Sequence, residues 1–357
     1  MSKAIVGMSG GVDSAVAALL LKQSGYEVAG VTLRVWQSED GTEGRCCDIE
    51  DARRVAFKLG IPYYPINCIS DFKRYVIEPF VNAYVSGYTP NPCVECNRFV
   101  KWEKLLHFAK VVGAEYIATG HYASVVKLDN GRYTVKKALF AEKDQTYMLY
   151  KLSQEQLAST LMPLGSFSKS EVRRIAREAG LPSAEKQDSQ EICFITEGNY
   201  TDYIEKTAGH DSLGEGNFID EKGAVLGRHK GIVHYTLGQR KGLGLSLGFP
   251  AYVKEIRAGS NEVVIGGESS LYSRELICGN VNYLSCAEPA IGKRLACSVK
   301  VRYRHCGQPA IIESIGGNRV KISFEEPVKA ASPGQSAVFY DDFGCVVGGG
   351  TITGILK

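Results

Sequence analysis

The sequence contains no long hydrophobic run. None of its segments approaches the roughly 20 consecutive apolar residues that span a membrane. The opening residues, MSKAIVGMSGG, lack the long apolar stretch of a signal peptide. The net charge of +3 is too small to indicate a nucleic-acid partner by itself. We therefore expect a cytoplasmic protein that does not contact membranes, and we expect it to be a monomer.

The pattern of cysteines that marks small disulfide scaffolds is also missing. The eleven cysteines are an odd number, and their spacing suits no such scaffold. The chain has one C-x-x-C pair, formed by Cys93 and Cys96 within Asn91–Asn97, and no second pair that would complete a zinc site. Cys193 lies in a second loop, Asp188–Phe194. Because loops often carry chemistry, these three thiols are the candidates for it.

The first third of the chain alternates predicted strands and helices, which indicates an α/β fold with a parallel sheet covered on both faces. The stretch 153–180 is predicted to be helical, with a capping box at Ser168–Glu171. After about residue 206, glycines and short β-rich runs predict a small β domain and then a C-terminal β-barrel. We expect domains at 1–205, 206–270 and 271–357. The predicted elements of the first third are the strands Ala4–Met8, Val28–Trp36, Tyr63–Cys68 and Tyr116–Thr119 and the helices Asp13–Ser24, Ile49–Leu59 and Trp102–Val112.

The most informative segment lies between the first predicted strand and helix. Its glycines let the backbone wrap around an anion, and its amides face that anion at the positive end of the helix. The segment is neither a Walker A loop nor a G-x-G-x-x-G loop. Leu33 and Gly120 fall at the carboxyl ends of neighbouring strands, where such sheets bind ligands. The residues of the segment are Gly7, Met8, Ser9, Gly10, Gly11, Val12, Asp13 and Ser14.

The run Ser9–Ser14 resembles the signature of the PP-loop ATP pyrophosphatases, whose fold is adenine nucleotide alpha hydrolase-like. These enzymes transfer AMP from ATP to an oxygen and release pyrophosphate. The whole chain resembles the MnmA-type tRNA-specific 2-thiouridylases. The matching motifs are the PP-loop, Cys46-Cys47, Asn91–Asn97, Ala118–Tyr122, Lys143–Gln145, Asp188–Phe194, Tyr235–Gly242, Val301–Arg304 and Ser332–Gln335.

The resemblance implies a role for each matched residue. ATP would be bound by Gly7–Ser14, Leu33 and Gly120, with Mg²⁺ on the phosphates and Asp13 as a ligand of that ion. Cys193 would carry a persulfide, and Cys96 would be the second nucleophile. The remaining matched residues would contact the tRNA, which also fits the surplus of 18 Lys and Arg over 14 Asp and Glu from residue 206 onward. They are Asn91, Pro92 and Cys93 at the target base, His121, Lys143, Asp144 and Gln145 beside it, and Arg302, Tyr303 and Gln335 on the barrel.

Two mechanisms remain open from the sequence. In one, the Cys193 persulfide donates sulfur to the adenylated wobble uridine, and a disulfide with Cys96 is left for a reductant to clear. In the other, Cys93, Cys96 and Cys193 hold a [4Fe–4S] cluster with one open iron, where hydrosulfide binds. Some family members have Asp at the position of Cys93, and the presence of this third thiol favours the cluster slightly. The sulfur donor, a persulfide carrier protein or sulfide, is not defined.

Three other functions use only part of this pattern. A small-molecule adenylating ligase would keep the PP-loop but has no need for Cys96 and Cys193. A tRNA lysidine synthetase likewise needs no paired cysteines. A non-catalytic RNA-binding module would leave the intact PP-loop without a purpose.

Overall fold

The computed structural model describes residues 1–37, 48–186, 192–195, 198–209 and 214–356. Its N-terminal part is built on a parallel sheet of order β3-β2-β1-β4-β7, and β5 and β6 form a separate antiparallel hairpin. The strands are β1 (Lys3–Gly7), β2 (Glu27–Arg34), β3 (Tyr63–Asn67), β4 (Tyr116–Ala118), β5 (Ala123–Lys127), β6 (Tyr133–Lys137) and β7 (Thr160–Leu161).

Helices cover both faces of this sheet. Each of two helical runs contains a stretch of π-helix, Lys73–Ile77 between α3 and α4 and Cys96–Lys101 between α5 and α6. Parallel strands covered on both faces are buried along their length, and the centre of β1 is fully inaccessible. The helices are α1 (Val12–Gln23), α2 (Ile49–Leu59), α3 (Ile69–Phe72), α4 (Glu78–Val85), α5 (Pro92–Glu95), α6 (Trp102–Val111), α7 (Gln154–Ala158), α8 (Lys169–Glu178) and α9 (Tyr200–Ala208).

Two β units follow. The first is a four-stranded sheet of order β10-β11-β8-β9, and the second is a closed six-stranded barrel of order β12-β15-β14-β13-β16-β17. Their strands are β8 (Gly216–Ile219), β9 (Val225–His229), β10 (Tyr252–Arg257), β11 (Glu262–Gly266), β12 (Tyr272–Tyr283), β13 (Arg294–Lys300), β14 (Gln308–Gly316), β15 (Arg319–Lys329), β16 (Ser336–Tyr340) and β17 (Val346–Leu356).

The predicted fold class is confirmed: a parallel-sheet domain precedes a small β unit and a closed barrel. Sequence reasoning missed β7, the β5–β6 hairpin and the long barrel strands β12 and β17. The last of these contains three consecutive glycines, Gly348–Gly350, which do not suggest a strand. Glycine is needed at position 348 because a Cβ there would lie 2.4 Å from the Asn282 carbonyl oxygen on the neighbouring strand β12. Within the described ranges, no helix is long and apolar enough to cross a membrane.

Candidate active site

The glycine-rich segment lies where the sequence predicts it. Gly7–Ser14 leaves β1 and enters α1, so its amides gather at the positive end of that helix. The Ser9 amide donates to Ser14 Oγ over 3.2 Å and thereby closes the turn. Gly10 has φ +77°, and a Cβ there would lie 2.8 Å from the Asp48 carbonyl oxygen. Both the backbone conformation and the close approach therefore require glycine at position 10.

Gly120 and Leu33 lie at the same carboxyl edge of the sheet. A Cβ on Gly120 would lie 2.6 Å from the Ser14 amide nitrogen and 2.7 Å from the Asp13 carbonyl carbon. The chain leaving β4 therefore packs directly on the PP-loop backbone. Leu33 is half-buried near the end of β2. The structure brings the predicted ATP-binding residues to one edge, and their role in binding ATP stays a prediction.

Asp13 has two partners that sequence reasoning did not identify. Lys169 Nζ lies 2.8 Å from each carboxylate oxygen of Asp13. The Tyr122 hydroxyl donates to Asp13 Oδ1 over 2.7 Å. Lys169 is the first residue of α8, directly after the capping box that the sequence did predict at Ser168–Glu171. The capping signal located the helix start, but nothing local in the sequence indicates that this start faces the PP-loop.

A second lysine joins the neighbouring helix to the segment that leads towards Cys193. Lys186 Nζ lies 2.6 Å from Asp48 Oδ2 and 2.6 Å from Asp51 Oδ2, at the N-terminus of α2. Burial opposes the charged form of Asp48, but hydrogen bonds from Lys186 and from the Asp51 amide outweigh it and lower the pKa of Asp48. Arg173 on α8 donates to the carbonyl oxygen of Lys186 over 3.0 Å. These contacts fix residue 186 beside the PP-loop.

The C-x-x-C loop is built around a helix start. The Asn91 side chain caps α5 by accepting a hydrogen bond from the Cys93 amide over 3.2 Å. Pro92 occupies the first helical position, where a backbone N–H would have no partner within the helix. Cys93 is exposed, whereas Cys96 is only 7% exposed at the start of a π-helical stretch. Only one of the two thiols therefore meets solvent directly.

Two polar contacts hold this loop against the chain that follows the β5–β6 hairpin. Glu95, between the two cysteines, forms an ion pair with Lys151. Asn97 donates through Nδ2 to the Met148 carbonyl oxygen over 3.0 Å. The Asn97 side chain is 2% exposed, and its Oδ1 is buried with no hydrogen-bond partner in the described part of the chain. An unsatisfied buried acceptor therefore lies next to Cys96.

Cys96 belongs to a hydrophobic cluster that also contains Phe72, Phe80 and Phe194, and the partly buried Cys193 packs against this cluster. The Phe194 ring packs on Phe72 at 5.6 Å and on Phe80 at 5.3 Å between centroids. This packing anchors the residue after Cys193 next to the helices that follow β3. The neighbouring predicted segment, 188–191, and Cys46-Cys47 lie outside the described residues.

Cys93 is not part of that cluster. Among the described residues, which include all three candidate thiols, no group of three or more His, Cys, Asp or Glu side chains converges closely enough to hold a metal ion. The donor set expected for a [4Fe–4S] cluster is therefore not assembled in this arrangement. The other buried thiols have ordinary structural settings, since burial raises the pKa of Cys68 to about 11 and that of Cys297 to about 12.

The barrel contributes to the same region. Tyr303 is half-exposed, and burial together with the negative charge of Asp144 raises the pKa of its phenol. Lys143 and Cys93 also act electrostatically on Tyr303, so these four side chains are neighbours. Asp144 itself is only 7% exposed, and its carboxylate accepts hydrogen bonds from the Thr146 hydroxyl. The Asp144 carboxylate therefore holds the local backbone and is not displayed on the surface.

Two further predicted tRNA contacts also have internal partners. Gln145 Oε1 accepts from the Tyr122 amide over 2.9 Å. His121 Nδ1 lies 2.9 Å from Thr119 Oγ1, and its ring lies 5.4 Å from Trp102. Burial, reinforced by the positive charge of Lys101, lowers the pKa of His121 to about 3. The His121 ring is therefore neutral at physiological pH, where it can offer a hydrogen bond but no charge.

The remaining barrel residues lie close to the C-x-x-C loop. Gln335 Nε2 donates to the Thr89 carbonyl oxygen over 2.8 Å, two residues before Asn91. Arg302 is exposed and donates to the Lys329 carbonyl oxygen over 2.8 Å. A cavity of about 390 Å³ separates the loop from the barrel. It is lined mainly by apolar side chains, among them Tyr75, Phe80, Tyr88, Pro92, Phe99 and Ile352.

A larger, more open concavity of about 500 Å³ lies in the glycine-rich loop between Arg240 and Ala251. Its lining contains none of the predicted site residues. The residues predicted to contact tRNA lie instead in the region between the parallel sheet and the barrel. Their roles in binding tRNA stay predictions.

Comparisons with known proteins agree with this architecture. Residues 2–197 match the family model described as tRNA methyl transferase HUP domain. Residues 201–267 match the model described as tRNA methyl transferase PRC-barrel domain, and residues 273–352 match the Aminomethyltransferase beta-barrel domain. The matched regions and the PP-loop define an ATP-utilising protein of the PP-loop class.

Full-length relatives define the family within that class. The tRNA-specific 2-thiouridylase MnmA of Lachnoclostridium phytofermentans is 51% identical over 359 residues, which cover 99% of both chains. The protein of the same name from Clostridium perfringens is 48% identical over 360 residues, again with 99% of both chains covered. The chain belongs to the tRNA-specific 2-thiouridylase family.

Among solved structures, the U34-tRNA thiolase NcsA from Methanococcus maripaludis with its [4Fe-4S] cluster aligns with a TM-score of 0.36 and 20% identity. The alignment covers 59% of this chain and 68% of that one. A likeness this loose transfers neither a residue role nor a cofactor.

Proposed function

We propose that this protein replaces the C2 oxygen of the wobble uridine, position 34, of tRNA with sulfur, consuming ATP and releasing AMP and pyrophosphate. The observation that carries the proposal is the pairing of a complete PP-loop with Cys96 and Cys193 at one hydrophobic cluster. The full-length relatives named tRNA-specific 2-thiouridylase support it. An adenylating ligase or a tRNA methyl transferase would have no use for two cysteines at the same hydrophobic cluster.

The first step activates a poor electrophile. The uridine O2 attacks the α-phosphorus of ATP, a P–O bond forms, pyrophosphate leaves, and the N3 proton is lost to solvent. The amides of Gly7–Ser14 would hold the pyrophosphate as charge moves onto it. The C2–O bond then carries AMP as its leaving group. The wobble base lies in a single-stranded loop, so no base pair has to break when it moves into the site.

The second step delivers sulfur. The terminal sulfur of a Cys193 persulfide attacks C2, a C–S bond forms, and AMP leaves with the C2–O electron pair. The Cys96 thiolate then attacks Cys193 Sγ, which breaks the sulfur–sulfur bond and releases 2-thiouridine. A Cys96–Cys193 disulfide remains, and a dithiol reductant returns both thiols. The half-exposed Cys193 suits the loading of a persulfide, and the buried Cys96 suits a step that occurs only within the enzyme.

The family resemblance also implies Mg²⁺ and, as an alternative, a [4Fe–4S] cluster, and no step of this scheme is assigned to either. In the nucleotide-free protein both oxygens of Asp13, the expected Mg²⁺ ligand, accept hydrogen bonds from Lys169, and its role as a metal ligand stays a prediction. Mg²⁺ would accompany ATP as the counter-ion of its phosphates. The scheme uses the two-cysteine relay because, among the described residues, Cys93, Cys96 and Cys193 do not converge on one point, and the [4Fe–4S] alternative is decided by the iron count below. A persulfide carrier protein would load Cys193: the Cys193 thiolate attacks the outer sulfur of the carrier's persulfide, and the carrier leaves as a thiol.

The test uses protein purified without oxygen, unmodified tRNA, ATP, Mg²⁺ and a persulfide donor. Mass spectrometry measures 2-thiouridine in the digested tRNA, and AMP is counted against it. We expect one AMP for each 2-thiouridine and a loss of at least about 1,000-fold for Cys96→Ser and Cys193→Ser, since each nucleophile is required. A tRNA that gains no 2-thiouridine under any condition would refute the proposal.

Matched substitutions separate chemistry from packing. Cys345→Ser removes a thiol as buried as Cys96, and Cys306→Ser removes an exposed thiol comparable to Cys93. Both should keep most of the activity. Iron and acid-labile sulfide are counted in the same samples. If iron is present, and Cys93→Ser removes both the iron and the activity, the cluster mechanism replaces the two-cysteine relay.

A further inference from the structure

The PP-loop has no positively charged side chain of its own. Gly7–Ser14 contains one charged residue, Asp13, and no lysine or arginine. This carboxylate lies in the first turn of α1, where the helix and its amides should attract phosphate. A cation from another part of the chain would offset the charge of Asp13 when a polyphosphate binds here.

The structure supplies a cation from α8. Lys169 Nζ is equidistant from both Asp13 oxygens, at 2.8 Å, and only 15% of its side chain is exposed. The start of α8 is fixed by the reciprocal hydrogen bonds of Ser168 and Glu171, so the base of the lysine is held in place. An ammonium on a flexible stem, anchored at its base, can turn from a carboxylate to a phosphate over a short distance.

We propose that Lys169 is the phosphate-binding cation of this enzyme: it neutralises Asp13 in the nucleotide-free protein and contacts the pyrophosphate moiety of ATP when ATP binds. This inference rests on the proposed use of ATP and adds a residue outside the PP-loop to it. Tyr122 remains hydrogen-bonded to Asp13 Oδ1 at 2.7 Å, so Asp13 keeps a partner when the ammonium turns.

The alternative is a purely structural ion pair that joins α1 to α8. Such a pair would affect stability but would not distinguish one part of the nucleotide from another. A phosphate contact affects pyrophosphate and ATP, and it leaves AMP nearly unchanged. The decisive measurement is therefore whether a Lys169 variant loses affinity for pyrophosphate and ATP but not for AMP.

Isothermal titration calorimetry with the full chain and no tRNA measures the affinities for pyrophosphate, AMP and a non-hydrolysable ATP analogue, with Mg²⁺ present throughout. For Lys169→Met we expect the dissociation constants of pyrophosphate and the ATP analogue to rise about 10- to 100-fold, as for a lost charged hydrogen bond. The AMP affinity should change less than about twofold. Lys169→Arg should recover part of the loss.

The control is Lys104→Met, which removes a similarly close ion pair, 2.8 Å from Asp71, between α3 and α6. It should leave all three affinities unchanged. Equal weakening of AMP and pyrophosphate by Lys169→Met, or no weakening of either, would overturn the proposal. Lys169→Met combined with Asp13→Asn tests direct contact: if the pair restores pyrophosphate binding, Lys169 acts only by neutralising Asp13, and the proposal is wrong.

The test of Lys169 and the test of the proposed thiolation can fail independently. A selective pyrophosphate defect in a protein that makes no 2-thiouridine would keep Lys169 and discard the tRNA reaction. A wild-type protein that binds neither ATP nor pyrophosphate would discard both.

Discussion

Gly120→Ala tests whether the chain leaving β4 sets the shape of the nucleotide loop. The new methyl group would meet the Ser14 amide nitrogen at 2.6 Å and the Asp13 carbonyl carbon at 2.7 Å, closer than the 3.0 Å that real Cβ contacts respect. Both neighbours are backbone atoms of α1, so no flexible side chain can move aside. Overpacking of this kind costs about 1–3 kcal/mol. If the loop shifts to absorb it, ATP affinity should fall about 5- to 150-fold.

Calorimetric titration with a non-hydrolysable ATP analogue measures this loss, and thermal unfolding with and without the analogue measures how much stabilisation by the ligand survives. Gly259→Ala is the control, because its Cβ would meet nothing within 4 Å. Its affinity should equal that of the wild-type protein. Unchanged ATP affinity in Gly120→Ala would show that the edge of the sheet does not define the nucleotide site, and the geometric reasoning would fail.

Three other perturbations address the surrounding contacts. The pKa of His121 is about 3, against an ordinary value of 6.5, so the unfolded chain binds the proton first as pH falls. Between about pH 7.5 and 5.5 the wild-type protein should lose about 1.4 kcal/mol of stability that His121→Gln does not lose, as read from denaturant titrations. Lys186→Met leaves Asp48 and Asp51 facing each other and should lower stability by about 1 kcal/mol in the same titrations, with less effect at high salt. Gln335→Ala removes the hydrogen bond to the Thr89 carbonyl oxygen and should slow thiolation about 10-fold, with ATP binding unchanged.

The part of the site that is contiguous in sequence was predictable. Gly7–Ser14 carries its own signal, because the glycine conformations, the helix start and the preceding strand are all local features. The capping box at Ser168–Glu171 was predictable for the same reason. In each case the physical cause lies within a few residues of its effect.

Contacts between distant segments were not predictable in this way. The partners Lys169 and Asp13 are separated by 156 residues, and only the packing of α8 on α1 joins them. The burial of Asp144 depends likewise on Thr146 and on the barrel tyrosine Tyr340, which no periodicity in the sequence indicates. A motif therefore identified the region of the site, while tertiary packing decided which side chains face outward.

The barrel packs directly on the N-terminal domain through a shared hydrophobic core. One hydrophobic cluster contains Trp102 and Tyr150 from the N-terminal domain together with Val338 and Tyr340 from the barrel. Polar contacts accompany it, such as the Tyr147 hydroxyl on the Ser336 carbonyl oxygen at 2.8 Å.

The contacts between the barrel and the N-terminal domain extend to the C-x-x-C loop. The Thr89 amide donates to the Pro333 carbonyl oxygen over 2.9 Å, and a Cβ on Gly334 would lie 2.9 Å from the Thr89 amide nitrogen. Gln335 holds the carbonyl side of Thr89 at 2.8 Å. The backbone two residues before Asn91 is thus clamped from both sides by the barrel. Since the loop that carries Cys93 and Cys96 begins there, a tRNA that displaces the barrel even slightly would move the loop with it.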